Sequence, residues 1–116
     1  MKILYIEDSP EPIRMVQRVA LGMGHDLIIA VTGKHGMARF AEQPDLVLID
    51  IHLPDINGLD LVRQMRNKQH LMPIIALTGD VWNYSEQQAI QAGCNGFLEK
   101  PCTIEVIRDL FSRYCV

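Results

Sequence analysis

The sequence predicts a doubly wound α/β fold: an open parallel sheet with helices on both faces. Three observations predict it. Short apolar runs alternate with longer segments of helical period along the whole chain. Those runs are continuously apolar instead of alternating, as expected of strands covered on both faces by helices. Side chains with chemistry stand where the runs end, and open α/β sheets bind ligands beyond the carboxyl ends of their strands.

The strands are read at Ile3 to Ile6, Leu27 to Val31, Leu46 to Ile49, Ile74 to Leu77 and the short Gly96 to Leu98. The first helix carries Ile13, Val16, Ala20 and Met23 on one face and ends near Gly22 and Gly24. Its start is ambiguous, because Pro12 disfavours helical geometry at Glu11 yet Pro is welcome in a first turn. The second runs from about Lys34 to Glu42 and is weakened by Gly36. The third follows Gly58, with Leu59, Val62 and Met65 on one side. The fourth spans about Asn83 to Ala92, with Ser85 and Gln88 spaced as a capping box and Gly93 as its stop. In the fifth, Thr103 caps, Glu105 favours the positive end, and Ile107, Leu110, Phe111 and Tyr114 form the apolar face. Strands alternating with helices in this way imply right-handed βαβ crossovers.

The 116 residues fit one domain, residues 1–116, and are enough to bury a core. With 48% hydrophobic and 22% charged residues the chain has the balance of an ordinary globular protein. A net charge of −3 offers no basic footprint, so direct nucleic-acid binding is not expected. Cys94, Cys102 and Cys115 form no C-x-x-C pair and leave an odd thiol, which reads as reduced thiols in a cytoplasmic protein. No run reaches the roughly 20 apolar residues of a membrane span, and Glu7 and Asp8 leave no room for a signal peptide.

The first strand runs into Glu7-Asp8, the third into Asp50, the fourth into Thr78-Gly79 and the fifth into Lys100-Pro101. If the first and third strands are neighbours, Glu7, Asp8 and Asp50 converge. Two carboxylates about 4 Å apart repel by roughly 4 kcal/mol at an effective dielectric near 20. Three together call for a cation or for raised pKa values, and hard oxygen ligands with room for water suit Mg²⁺. A carboxylate is a competent nucleophile for forming an acyl phosphate. The charge that develops on the transferring group needs a metal, an ammonium and a hydroxyl, here Lys100 and Thr78. Asp50 is the nucleophile of choice, since a single acid ends the central strand. Asp8 binds the metal directly in this reading, and Glu7 binds it through water.

Four segments in order, Glu7-Asp8, Leu48-Ile49-Asp50-Ile51-His52-Leu53-Pro54 leading to Gly58, Ala76-Leu77-Thr78-Gly79 and Gly96-Phe97-Leu98-Glu99-Lys100-Pro101, resemble the receiver domains of two-component response regulators. The likeness covers nearly the whole chain and extends to single-domain regulators of the chemotaxis or cell-cycle type. It implies the flavodoxin-like receiver fold, five parallel strands in the order 2-1-3-4-5 with five helices. It also implies phosphorelay signalling, in which Asp50 accepts phosphate from the phosphohistidine of a sensor kinase or phosphotransfer protein. Asp8, Asp50 and the backbone carbonyl of His52 would hold Mg²⁺, and Thr78 and Lys100 would bind the phosphoryl oxygens. Movement of Thr78 would let Phe97 turn inward and change the face formed by the fourth helix, fifth strand and fifth helix, where a downstream protein docks. Such a protein is a phosphoacceptor and not a turnover enzyme, although it assists its own phosphorylation and dephosphorylation. It is a monomer or a phosphorylation-dependent dimer. Phe97 stands where the family often has Tyr, so a signal read through that hydroxyl is absent. His52 and Asp80 occupy the positions at which the family tunes dephosphorylation.

Three alternatives follow other logic. A phosphohydrolase of the haloacid dehalogenase type needs an acid two residues after its nucleophile, where this chain has His52. A flavodoxin-like flavin binder needs a phosphate-cradling loop after the first strand, and Asp8-Ser9-Pro10-Glu11 is acidic instead. A receiver taken from a hybrid sensor kinase keeps the same chemistry; Met1 and a complete fifth helix favour a free-standing protein. His25, His35 and His70 read as ordinary surface histidines, the methionines as core, and Asp55 and Asn57 as turn formers. Trp82 and Tyr84 read equally as partner contacts or as partly buried packing.

Overall fold

The computed structural model describes residues 1–68 and 71–114; His70 and Cys115 lie outside the described residues. β1 (Lys2–Ile6), β2 (Asp26–Ala30), β3 (Leu46–Asp50), β4 (Ile74–Thr78) and β5 (Gly96–Glu99) form a parallel sheet in the order β2-β1-β3-β4-β5. The helices are α1 (Pro10–Gly22), α2 (Gly33–Phe40), α3 (Gly58–Asn67), α4 (Glu86–Ala92) and α5 (Ile104–Tyr114). The expected order 2-1-3-4-5 is therefore the one adopted.

Strand alternation divides the core into two layers, because successive side chains point to opposite faces of a sheet. Leu4, Ile6, Val47, Ile49, Ile74 and Ala76 pack with Phe40, Val62, Met65 and Ala89 from α2, α3 and α4. Ile3, Tyr5, Leu46, Leu48, Ile75 and Leu77 pack with Val16, Val19, Ile107 and Phe111 from α1 and α5. All five residues of β3 and of β4 are buried, which is why those runs show no polar alternation.

Local chemistry sets the helix ends. Ser9, in extended geometry, precedes α1, and Pro10 and Pro12 both fit in its first turn, which resolves the ambiguous start. α2 stops at Phe40, two residues short of the expected end; Gln43, at φ 57°, leads into Pro44. α4 begins at Glu86, later than the expected Asn83. The Asn83 side chain is engaged with the Asp80 carboxylate, donating from Nδ2 to Oδ2 at 2.9 Å, which keeps residues 81–83 in a turn. The expected capping box is present: Gln88 N donates to Ser85 Oγ at 3.3 Å, and Ser85 N donates to Gln88 Oε1 at 2.8 Å. Gly93 ends α4 at φ 117°, with the Arg66 side chain where a Cβ would stand. Thr103 caps α5, its Oγ1 accepting from Val106 N at 3.2 Å.

The histidine and methionine expectations hold only in part. His35 is exposed, but His25 is half-buried, stacks edge-on against Phe111 at 5.8 Å and accepts at Nδ1 from the N-terminal ammonium. Met65 is fully buried, while Met15, Met23, Met37 and Met72 are only half-buried at the core margin and Met1 is exposed. Cys94 and Cys102 are free thiols, and burial pushes the Cys94 thiol up to about 11.

Candidate functional site

In a sheet ordered β2-β1-β3, the direction of winding reverses between β1 and β3, and the crevice beyond their carboxyl ends is where such folds bind ligands. Register does the rest. Ile6 pairs with Ile49, so the next residues, Glu7 and Asp50, emerge side by side. Glu7, Asp8 and Asp50 each offer a carboxylate oxygen, and these three atoms lie within 4.8 Å of one another. Glu7 and Asp50 are buried, whereas Asp8 is exposed at the mouth.

Lys100 reaches this cluster from the end of β5. Its Nζ lies 2.5 Å from Glu7 Oε1 and 3.4 Å from Asp50 Oδ2, so the lysine in this structure leans on Glu7 first and on Asp50 second. Its own N–H donates to Thr78 O at 2.8 Å, which fixes the loop from which the side chain springs, and the Lys100–Pro101 peptide is cis. Burial, followed by contact with Asp50, holds the Glu7 carboxyl above its ordinary pKa, with Lys100 opposing both. For Lys100 burial works against the charged form, but the hydrogen bond to Glu7 and the charge of Asp50 outweigh it, and its pKa is raised.

Both carboxylate oxygens of Glu7 are hydrogen-bonded from the protein side. Oε1 also accepts from Tyr5 Oη at 3.3 Å, and Oε2 accepts from the backbone N–H of Asp8 and of Ser9. Asp50 Oδ1 accepts from His52 N at 3.2 Å. The backbone bends sharply after Asp50: Gly58 N donates to Ile51 O at 2.7 Å, and a Cβ at Gly58 would sit 2.3 Å from the Asp50 carbonyl oxygen, so only glycine fits. Asp55, expected only to form a turn, does more. Its carboxylate accepts from the N–H groups of Gly33 at 2.8 Å and Lys34 at 2.9 Å, capping α2 from another loop, and these bonds lower its pKa. Asn57 caps α3 through Leu59 N as that same loop returns.

Thr78 ends β4 fully buried, with Oγ1 accepting from Asp80 N at 2.9 Å. His52 Nε2 and Asp80 Oδ2 face each other at 3.5 Å across the rim. The hydrogen bond from the Asn83 side chain, more than His52, holds the Asp80 carboxyl below its usual range. Trp82 and Tyr84 differ in burial. Trp82 is 95% exposed. Tyr84 is half-buried, stacks edge-on with His52 at 5.3 Å and accepts from Asn57 Nδ2 at 2.8 Å. Phe97 is half-buried on β5, against the layer that α2, α3 and α4 cover.

The donor set fits a small hard dication. Three carboxylates face one ammonium, leaving an excess of negative charge that hard oxygen ligands can offer to Mg²⁺ with space left for water. The sequence reading missed Tyr5 and the capping role of Asp55, and it gave Tyr84 no bond to Asn57. Strand period could have found Tyr5, which lies two residues before Glu7 and so on the same face. Nothing local points from Asp55 to Gly33, 22 positions earlier.

Residues 3–112 match the family model described as the response regulator receiver domain. Among curated relatives, the aerobic respiration control sensor protein ArcB of Escherichia coli is 30% identical over 118 aligned positions, covering 98% of this chain but only 15% of that sensor. A chemotaxis protein CheY homolog of Campylobacter jejuni is 29% identical over 94% of the chain and 88% of its own length. Among solved structures, a two-component response regulator from Clostridium difficile superposes with a TM-score of 0.91 at 22% identity, covering 99% of this chain and 95% of that one.

Proposed function

The chain belongs to the response regulator receiver family; on that premise we propose that it serves phosphorelay signalling, with Asp50 as its phosphoacceptor and Mg²⁺ as cofactor. The observation that supports this most directly is the position of Asp50. It is a nearly buried carboxylate at the end of the central strand, flanked by Glu7 and Asp8 and within 3.4 Å of Lys100 Nζ.

In the proposed reaction a carboxylate oxygen of Asp50 attacks the phosphorus of a phosphohistidine, the P–N bond breaks, and the histidine leaves as the neutral or protonated imidazole. Asp8, Asp50 and the carbonyl of His52 would hold Mg²⁺ directly and Glu7 through water; the bound ion would neutralise charge on the transferring oxygens. Lys100 Nζ and Thr78 Oγ1 supply the remaining donors, Thr78 giving up its present bond from Asp80 N. The inward turn of Phe97 follows that movement and reshapes the α4–β5–α5 face, which carries the exposed apolar residues Ile90 and Val106. His52 and Asp80, paired at the rim, set access for the water that hydrolyses the acyl phosphate. The upstream partner is a histidine kinase or a phosphotransfer protein. Output passes to a protein partner and not to nucleic acid, from a monomer or a phosphorylation-dependent dimer acting as a binding switch without turnover chemistry.

No helix among the described residues is long and apolar enough to cross a membrane. The kinase or phosphotransfer partner proposed for Asp50 supports a cytoplasmic setting for the domain, residues 1–116. Likeness to one segment of a sensor protein supports a second setting for the same chemistry, a receiver module within a hybrid kinase. The test is binding of beryllofluoride with Mg²⁺, followed by calorimetry. Wild type binds and Asp50→Asn does not; equal binding by both removes Asp50 from the site.

A further inference from the structure

The strongest group left without a role is the hydroxyl of Tyr5. The Tyr5 ring is 1% exposed, inside the layer under α1 and α5, yet its oxygen reaches the acidic cluster and donates to Glu7 Oε1 at 3.3 Å. That same oxygen is the one on which Lys100 Nζ rests at 2.5 Å. Two donors therefore share one acceptor atom of a carboxylate that has no solvent exposure.

We infer that Tyr5 is a positioning residue for phosphoryl acceptance: its hydroxyl keeps Glu7 hydrogen-bonded when Lys100 leaves it for the phosphoryl group on Asp50. The inference rests on the reading of Asp50 given above. Lys100 Nζ is 3.4 Å from Asp50 Oδ2, closer to Glu7 than to the acceptor. A phosphoryl group adds its oxygens beyond Asp50, and the ammonium has to move outward to meet them. A fully buried carboxylate oxygen left without any donor is costly, more so when it is charged. Glu7 Oε2 is already taken by two backbone N–H groups, which do not reach Oε1. Among the described residues, Tyr5 is the one other side chain that donates to Oε1. With Tyr5 in place Lys100 can leave at low cost, and without it Lys100 is held back on Glu7.

Tyr5→Phe keeps the ring and removes the donor. In the anion-free state Lys100 covers Oε1 whether or not Tyr5 donates, so Mg²⁺ affinity, followed by NMR titration, is expected to stay unchanged. Beryllofluoride affinity at saturating Mg²⁺, measured by calorimetry, is expected to fall about ten-fold, the order of one charge-assisted hydrogen bond. Unchanged beryllofluoride affinity overturns the inference. Equal losses of Mg²⁺ and beryllofluoride affinity also overturn it, since they mark a general disturbance of the pocket. If Tyr5→Phe does not fold, 4-fluorophenylalanine at position 5 fills the hydroxyl's space without an O–H and carries the same expectations. Asp50→Asn is titrated alongside. No anion binding by wild type, or equal binding by wild type and Asp50→Asn, overturns the Asp50 reading and the role of Tyr5 with it. A loss confined to Tyr5→Phe separates the two.

Discussion

Replacing Asp50 by Asn removes one charge from a pocket that has too many, and the variant is expected to be more stable than wild type when no divalent cation is present. The Asp50 carboxylate lies within 4.8 Å of oxygens from Glu7 and Asp8. At an effective dielectric near 20, Glu7 at that distance repels it by about 3.5 kcal/mol, and exposed Asp8, better screened, by about half as much. Lys100 at 3.4 Å attracts it by about 5 kcal/mol on the same scale. The Coulomb contributions nearly cancel, so desolvation decides the sign. The Asp50 side chain is only 7% exposed, and a buried carboxylate costs several kcal/mol more than a neutral amide of the same shape. Asn can still accept from His52 N. A gain of about 2 kcal/mol follows, roughly 8 °C in midpoint for a domain of this size. Saturating Mg²⁺ reverses the order, because a ligand at 100 times its dissociation constant stabilises the native state by about 2.7 kcal/mol and binds the variant less well. Urea unfolding in chelator and in excess Mg²⁺ is the assay. Far-UV circular dichroism is the suitable probe, since Trp82 is 95% exposed already and changes little on unfolding. An Asn variant less stable than wild type in chelator, or one that gains as much from Mg²⁺, refutes the reasoning.

Lys100→Met keeps the aliphatic stem but leaves buried Glu7 and Asp50 without their cation, and is expected to cost about 3 kcal/mol in chelator by urea unfolding. The Lys100 pKa is raised in the fold, so its contribution is fully present below the unfolded value of 10.5 and is lost as pH climbs through the folded value; wild type should lose stability above pH 10.5 in a way that Lys100→Met does not. Asp55→Ala deletes the acceptor for two N–H groups at the start of α2 and is expected to cost about 1 kcal/mol at neutral pH. The Asp55 pKa is depressed, so its contribution holds above the unfolded value of 3.8 and disappears as pH falls through the folded one; acid unfolding of wild type and variant should converge there, and a constant gap would contradict the capping role.

What the sequence discloses and what it hides follow from range. The layers are legible because buried parallel strands must be continuously apolar and because their ends carry the polar groups, and β3 and β4 show both features without ambiguity; the strand order is not legible in this way and came from the family resemblance. Capping is legible where both partners lie within one turn, as with Ser85 and Gln88. The start of α4 was misread because residues 83–92 keep helical composition, while the bond from Asn83 to Asp80 competes for the first turn. Asp55 was read too narrowly for the opposite reason: its partners are distant in sequence and are backbone atoms, which leave no trace in residue type.

The acidic cluster was legible as chemistry but not as geometry, and the difference matters for what the site can do. Sequence places Lys100 opposite the acids without saying which acid it favours; the structure puts it on Glu7 at 2.5 Å and only second on Asp50. A lysine resting on the nucleophile itself would compete with an incoming phosphoryl group. Resting on the neighbouring acid, it neutralises part of the pocket and stays within reach of the acceptor. The arrangement is possible only because β1 and β3 pair in a register that sets Glu7 beside Asp50, and because Tyr5, two residues earlier on the same face, reaches the same Glu7 oxygen. One strand thus positions the acid that holds the lysine and also the hydroxyl that can take the lysine's place. The apolar packing of β1 and β3 holds these like charges together, and under the proposed function their repulsion would make the pocket responsive to a cation and to the phosphoryl group.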